Sequence, residues 1–202
     1  MNTQSFEAYQ HAIDVHGAGF AATLWGSAGT QSLRFQVLVE MIGGLAGCSL
    51  LDLGCGDGAL ERWLIDSGQM PTSLAGLDAI GPQVDLARSQ AADWSEYMQV
   101  DLLDETIAWP IADWVIVSGT LNTMTEFEVG AVLERAWSSS QAGLAFNLLS
   151  DRPSAEWDQR PLGPARRHDG LSWMAWALER TALVACRQDY LSGHDLTIVM
   201  KR

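Results

Sequence analysis

A glycine-rich stretch and two aspartates that follow it are the residues of this sequence most suited to chemistry. Residues 51–58 read Leu-Asp-Leu-Gly-Cys-Gly-Asp-Gly and stand between an apolar segment and a predicted helix. Glycines there let the backbone approach a ligand closely and adopt positive φ. Asp78 and Asp101 follow the next two apolar segments. A carboxylate after the second strand of an open α/β sheet can accept both hydroxyls of a ribose. One after the third strand can accept from an exocyclic adenine amine.

The glycine spacing argues against a ligand that carries phosphate. Glycine occupies positions 54, 56 and 58, a G-x-G-x-G pattern. Dinucleotide sites more often show G-x-G-x-x-G, with a pyrophosphate over the helix N-terminus. Asp57 at that helix start would repel a pyrophosphate and suits a positively charged ligand, unless it serves only as a favourable N-terminal charge. A ribose, an adenine, a positive end and no phosphate together describe S-adenosylmethionine (SAM).

Alternating apolar strands and helices must position these residues. Strands are predicted at 49–53, 73–77, 97–100, 113–117 and 143–149, and helices between them at 59–67, 82–92 and 126–138. This alternation predicts a parallel sheet with right-handed crossovers. A helix at 171–182 precedes strands at 184–191 and 196–200, whose short connection predicts a hairpin and therefore an antiparallel last strand. Two further helices are predicted upstream, at 4–16 and 30–45.

Composition limits the classes of partner. The chain has 202 residues, 48% of them hydrophobic, which is enough for a substantial core. It carries 25 Asp and Glu against 12 Lys and Arg, a net charge of −13. This charge disfavours nucleic acid and anionic membrane surfaces. Three cysteines without zinc-type spacing predict neither a disulfide framework nor a metal site and fit a reducing cytoplasm. No signal peptide or membrane-spanning run is evident, so we expect a cytoplasmic protein. The sequence leaves open whether it is a monomer or a homodimer.

The chain resembles the class I SAM-dependent methyltransferases. The resemblance rests on residues 51–58, Ala-Gly-Leu-Asp at 75–78, Val-Asp-Leu at 100–102 and the closing hairpin. The resemblance implies an α/β fold, a Rossmann-like three-layer sandwich with a seven-stranded, mostly parallel sheet and an antiparallel last strand. It implies one domain over 1–202, with an N-terminal helical lid at 1–46 and the core at 47–202. Within that family the chain is similar to small bacterial and phage proteins of largely unassigned substrate. The motifs that carry this closer similarity are 25–27, Gln31, 34–35, 118–122, 145–147 and 189–191.

The resemblance also implies residue roles. The backbone at Gly54 and Gly56 is expected near the methionine part of SAM, and Arg34 is expected to face its carboxylate, because a guanidinium suits bidentate contact. Asp78 is expected at the ribose. The whole set implied for cofactor binding is Trp25, Gln31, Arg34, Asp52, Gly54, Cys55, Gly56, Asp78, Ala79, Asp101, Leu102, Ser118, Gly119 and Asn122.

Structural alternatives exist for several of these residues. Cys55 is expected to fill space rather than react, and Arg34 is either a ligand contact or a solvated cation. Asp101 either contacts adenine or caps the turn after it. Asn122 either faces the ligand or caps the helix that begins after Met124.

The acceptor side is less defined. His16 is either a general base or a structural histidine. Arg152, Arg160, Arg166 and Arg167 form either an anion site or, as we favour, a solvated loop, and Trp25, Trp157 and Trp173 are candidate walls of a substrate pocket. We expect methyl transfer to a small-molecule acceptor by in-line displacement, yielding S-adenosylhomocysteine (SAH). The alternatives are a SAM-binding protein without catalysis and a nucleotide-dependent oxidoreductase.

Overall fold

A seven-stranded sheet runs through the molecule. The computed structural model describes residues 3–202, with side chains from residue 6 onward. The strands are β1 Ser49–Leu53, β2 Ser73–Asp78, β3 Ser95–Gln99, β4 Ala112–Val117, β5 Ser140–Leu149, β6 Val184–Arg187 and β7 Asp195–Lys201. Their order in the sheet is β3-β2-β1-β4-β5-β7-β6, and only β7 runs antiparallel to its neighbours. The prediction of a mostly parallel, Rossmann-like sheet with an antiparallel last strand is confirmed.

Seven helices flank the described sheet, and local sequence explains several of their ends. The Ser27 side chain accepts from the Thr30 amide, so the second helix begins before the predicted start at 30, and Gly43 at φ 98° ends it. Thr125 and Glu128 form a capping box at the start of the fifth helix. The helices are α1 Thr3–His16, α2 Ala28–Ile42, α3 Ala59–Ser67, α4 Gly81–Gln90, α5 Glu126–Ser139, α6 Ala155–Asp158 and α7 Gly170–Leu178.

Apolar residues cover both faces of the sheet. Neighbouring residues of one strand belong to different clusters: Leu50 packs with α2, α3 and α4, whereas Leu51 packs with α5 and α7. The same alternation separates Ile116 from Val115, as expected because successive strand side chains point to opposite faces. Helical spacing over 126–138 predicts that Phe127 faces this core together with Val132, Leu133 and Trp137, and for Phe127 this prediction is wrong. Phe127 is 86% exposed, because it lies in the first turn of α5 on the side away from the sheet.

Arginine–tryptophan stacking recurs across the molecule. In five places a guanidinium lies over an indole ring, between 3.9 and 4.7 Å from the ring centroid, within the range of cation–π attraction. The pairs are Arg34 with Trp25, Arg135 with Trp109, Arg160 with Trp157, Arg180 with Trp176, and Arg202 with Trp137. None of the helices described has both the length and the apolar character needed to cross a membrane.

Candidate ligand-binding site

A cavity of about 530 Å³ opens where the carboxyl ends of β1, β2 and β4 meet. Asp52, Asp78 and Ser118 line it from the ends of these three strands. The strand order reverses between β1 and β4, and open α/β sheets bind ligands at such a switch point. The volume falls within the roughly 300–1,000 Å³ that is usual for small-molecule sites.

The glycine loop forms one wall of the cavity. Its first two amides, of Gly54 and Cys55, donate to the carbonyl of Leu77 at 2.7 and 3.1 Å, which ties the loop to β2. Gly54 has φ 79°, and a Cβ there would lie 1.8 Å from Oγ1 of Thr120. Only glycine therefore fits, and the loop backbone lies bare against the cavity, as expected for close approach to a ligand.

Three carboxylates line the same cavity. Burial, together with the charge of Asp78, raises the pKa of Asp52 to about 7. Asp78 accepts from the amides of Gly56 and Ile80 at 2.9 and 2.8 Å, and burial raises its pKa. Asp57 is paired with Arg62 at 2.8 Å. Carboxylates this close together disfavour phosphate and favour a cation.

The wall after β4 is held by amide side chains. The Gly119 amide donates to Oδ1 of Asn147 at 2.8 Å, and Oδ1 of Asn122 accepts from the Leu149 amide at 2.7 Å. Asn122 therefore does not cap α5, the role that Thr125 fills. A Cβ on Gly119 would lie 2.5 Å from the ring of Trp25, so this indole lies directly on the glycine and closes that side of the cavity.

Arg34 reaches the cavity, but its guanidinium already holds a carboxylate. Its Nε and Nη2 each donate at 2.6 Å to Asp195, and its Nη1 donates to the Thr30 carbonyl at 3.3 Å. The solvated-cation alternative is thereby excluded, because the side chain is only 6% exposed. Gln31, one turn earlier on α2, is also buried and lines the cavity.

Several residues in the expected set do not line the cavity. Asp101 is exposed and accepts from the Leu103 amide at 3.0 Å, which is the capping alternative. Leu102 is buried in the core beneath the sheet, 4% exposed. His16 is exposed at the end of α1 and does not line the cavity. Ala79 does not line it either, although Ile80 beside it does.

Sequence reasoning missed Tyr9 and His194. Tyr9 lines the cavity and shares a hydrogen bond with Thr123, and burial raises its pKa to about 12. Its position on the same helical face as His16 was the available signal. His194 lies in the turn before β7, stacked on Trp157 with ring centroids 3.9 Å apart. Burial and nearby arginines lower its pKa to about 4.

The two other tryptophans proposed as walls differ from each other. Trp157 lines the cavity, whereas Trp173 is buried between α7 and α5 with its indole Nε1 unpaired. Within residues 6–202, no group of three or more His, Cys, Asp or Glu side chains could hold a metal ion.

Comparison with known proteins identifies the fold. No protein-family model and no curated sequence matches the chain. ChlM, the magnesium protoporphyrin IX methyltransferase from Synechocystis PCC 6803, solved with bound SAH, is similar with a TM-score of 0.68 and 17% identity, covering 100% of this chain and 95% of that one. The DhpI–SAM–HEP complex gives 0.66 and 19%, covering 98% of each chain.

A third similar structure is an O-methyltransferase family protein from Burkholderia thailandensis. Its TM-score is 0.71 at 16% identity, and the match covers 100% of this chain and 64% of that one. The chain therefore has the class I SAM-dependent methyltransferase fold.

Proposed function

We propose that the chain is a SAM-dependent methyltransferase that acts on a small-molecule acceptor. The observation that carries this proposal is a cavity lined by Asp52, Asp57 and Asp78 at the switch point of a methyltransferase fold. SAM carries a sulfonium, an ammonium and no phosphate, so these carboxylates suit it. The same carboxylates count against a nucleotide-dependent oxidoreductase, whose pyrophosphate they would repel.

The residues present fit this ligand. The bare backbone at Gly54 leaves room for the methionine part, and Asp52 beneath it is suited to the ammonium. Both carboxylate oxygens of Asp78 already accept one backbone amide each, and each retains lone pairs for a ribose hydroxyl. Ile80, next in the turn after β2, offers an apolar surface for the adenine.

The chain contributes alignment and exclusion of water rather than proton transfer. SAM supplies an electrophilic methyl group on a positively charged sulfur, and the departing thioether needs no acid. The protein must hold the acceptor in line with that methyl group and keep water away. Tyr9, Leu24 and Trp25 line the cavity from the N-terminal segment, which supports a lid role for residues 1–46.

Calorimetric titration with SAM, SAH and NAD tests the proposal. We expect both sulfur ligands to bind and NAD not to bind. Asp78→Ala should abolish binding, whereas Asp66→Ala, the same change at an exposed position of α3, should preserve it. Transfer of labelled methyl to a small molecule would then separate an enzyme from a binding protein without catalysis. Binding of NAD in preference to SAM, or unchanged SAM affinity in Asp78→Ala, would contradict the proposal.

A further inference from the structure

Besides its three carboxylates, the cavity has a group of basic residues centred on His194. Arg34 and Arg160 line the cavity, and Arg167 stands behind His194, with its Nη1 3.4 Å from the imidazole Nδ1. All three arginines act on His194 electrostatically and lower its pKa. Carboxylates and guanidiniums therefore line one cavity, with the guanidiniums near His194.

The basic wall is rigidly built. The imidazole of His194 stacks on the indole of Trp157 with ring centroids 3.9 Å apart, and Cζ of Arg160 lies over the same indole, 4.2 Å from its centroid. Arg167 donates to the carbonyls of Ser150 and Trp157 at 2.8 and 2.7 Å, which fixes the loop that carries the stack. These contacts hold Arg160 at the cavity although it lies in a long loop.

The three arginines differ in how their charge is compensated. Arg34 is neutralised by buried Asp195. Arg167 bonds carbonyls and the imidazole, so its charge is not cancelled by direct pairing. Arg160 is half-exposed and pairs with Glu156, one turn earlier, through a hydrogen bond. An exposed pair of this kind is worth about 0–1 kcal/mol, so a ligand carboxylate can replace Glu156 at little cost.

Apolar residues make up most of the remaining wall at this part of the cavity, and Asn122, which accepts from the Leu149 amide, is a polar neighbour of it. Among the described residues, two arginines line the cavity. Arg34 is paired with the buried carboxylate of Asp195, whereas the partner of Arg160 is exposed, so only Arg160 is available to a ligand. Glu156 and Asp158 lie close by in sequence and keep the local positive charge small, which favours a singly charged anion over a phosphate. The apolar lining residues are Leu149, Pro161, Leu162, Pro164 and Ala165.

We propose that the methyl acceptor is a small organic carboxylate with an apolar body, and that Arg160 binds its carboxylate in place of Glu156. The apolar lining then holds the body of the acceptor, and the Arg167–His194–Trp157 contacts keep Arg160 in position. This inference rests on the proposed methyltransferase function. It departs from the favoured interpretation of the arginines in this loop as merely solvated, because Arg160 is built into the cavity wall.

The test uses benzoate and its uncharged analogue benzamide as probes. The protein is first saturated with SAH, so that any group that binds the methionine carboxylate of SAH is already occupied and the probe reports on the acceptor part. Binding is followed by ligand-observed NMR titration. We expect benzoate to bind at least about tenfold more tightly than benzamide, the effect of one charge-assisted contact of about 1.4 kcal/mol.

Three variants locate the preference. Arg160→Gln should reduce it to within about twofold. Glu156→Gln removes the competing carboxylate and should strengthen benzoate binding about two- to fivefold. Arg152→Gln is the control, since Arg152 belongs to the same loop, pairs only weakly with Asp151 at 3.8 Å and does not line the cavity. This control should behave as the unmodified protein.

The outcomes are distinguishable. Failure of SAH itself to bind would remove the proposed function, and with it this inference. If SAH binds but the protein then binds benzoate and benzamide equally well, or binds neither, the inference about the acceptor is overturned and the proposed function is not. A preference that survives Arg160→Gln would also overturn it. Weaker benzoate binding in Glu156→Gln would contradict the exchange of Glu156 for the ligand.

Discussion

Arg34 and Asp195 form a bidentate ion pair in the interior, although 161 positions separate them in the chain. Both contacts measure 2.6 Å, and the side chains are 6% and 0% exposed. Arg34 belongs to α2 and Asp195 to β7, so the pair fastens the helix before the first strand to the last strand. It does so beside the cavity, so the same contact that stabilises the fold positions the guanidinium.

Removal of one partner should therefore be costly. We expect Arg34→Met to lower the free energy of unfolding by about 3–5 kcal/mol, because it leaves Asp195 buried without its partner. Urea denaturation measures this change. The double variant Arg34→Met with Asp195→Leu should be more stable than Arg34→Met alone. Arg152→Met, which breaks only an exposed pair, should change the free energy of unfolding by less than about 1 kcal/mol. An equal loss of stability in Arg34→Met and Arg152→Met would contradict a stabilising role for the buried pair.

Asp52 should make stability depend on pH. Its pKa is about 7 in the folded protein, above its usual value of 3.8. A raised pKa means that the folded state holds the proton more tightly, so the stabilising contribution is complete below about pH 4 and is lost as pH rises through 7. Asp52→Asn should therefore be more stable than the unmodified protein at pH 8, by up to about 4 kcal/mol. Denaturation at pH 5 and pH 8 measures the difference.

Protonation of Asp52 should weaken ligand binding, although it stabilises the folded protein. An ammonium ligand favours ionised Asp52, so SAH affinity should fall by up to about fivefold between pH 7 and pH 6. Asp52→Asn should bind SAH weakly, with little change over this range. A pH profile in Asp52→Asn identical to that of the unmodified protein would exclude Asp52 as the group responsible.

Gly54 should not tolerate a side chain. Gly54→Ala combines positive φ with a clash against Thr120, and we expect it to cost about 1–3 kcal/mol beyond the backbone strain and to abolish SAH binding. Gly47→Ala is the matched control, since Gly47 has φ 82° with nothing within 4 Å of an added Cβ. It should cost only about 1–2 kcal/mol and leave binding intact. Thermal unfolding with calorimetry compares the two, and equal effects would exclude the steric argument.

Gln83 should control how firmly the N-terminal segment closes. Its side chain makes two hydrogen bonds with the backbone of Gly19, at 2.8 and 3.1 Å. Gln83→Leu removes both bonds, and we expect SAH to dissociate about 5-fold to 150-fold faster, from the loss of about 0.5–1.5 kcal/mol for each of the two bonds. Gln90→Leu makes the same change at an exposed position of α4. Surface plasmon resonance gives both dissociation rates, which should differ if Gln83 anchors a lid.

Much of the fold was predictable because the spacing of apolar residues and the positions of glycines indicate the same helices and strands. The predicted bounds of β1 and α3 match the structure, since an apolar run followed by glycines leaves little choice. The loop and Asp78 were found for the same reason. Phe127 was misplaced because helical periodicity gives the spacing of a face but not the orientation of the first turn.

The candidate site was harder to predict where residues distant in sequence meet. His194 and Trp157 form one wall through contacts across the loop, and no local pattern signals that contact. Asp101 was expected at the cavity because it follows a strand, but its carboxylate caps its own turn. Asp195 gave no signal as the partner of Arg34, because an ion pair over 161 positions depends on the finished sheet.

The arginine–tryptophan stacks have an optical consequence. The chain has nine tryptophans, and the structure places Trp25 and Trp157 on the cavity wall and the other seven away from it. Each of these two indoles carries a guanidinium on one face, from Arg34 and Arg160 respectively. A ligand that moves either guanidinium changes the emission of the indole beneath it. The intrinsic fluorescence of the protein therefore contains two separable reporters, one beside Arg34 and one beside Arg160, each silenced by its own Trp→Phe substitution.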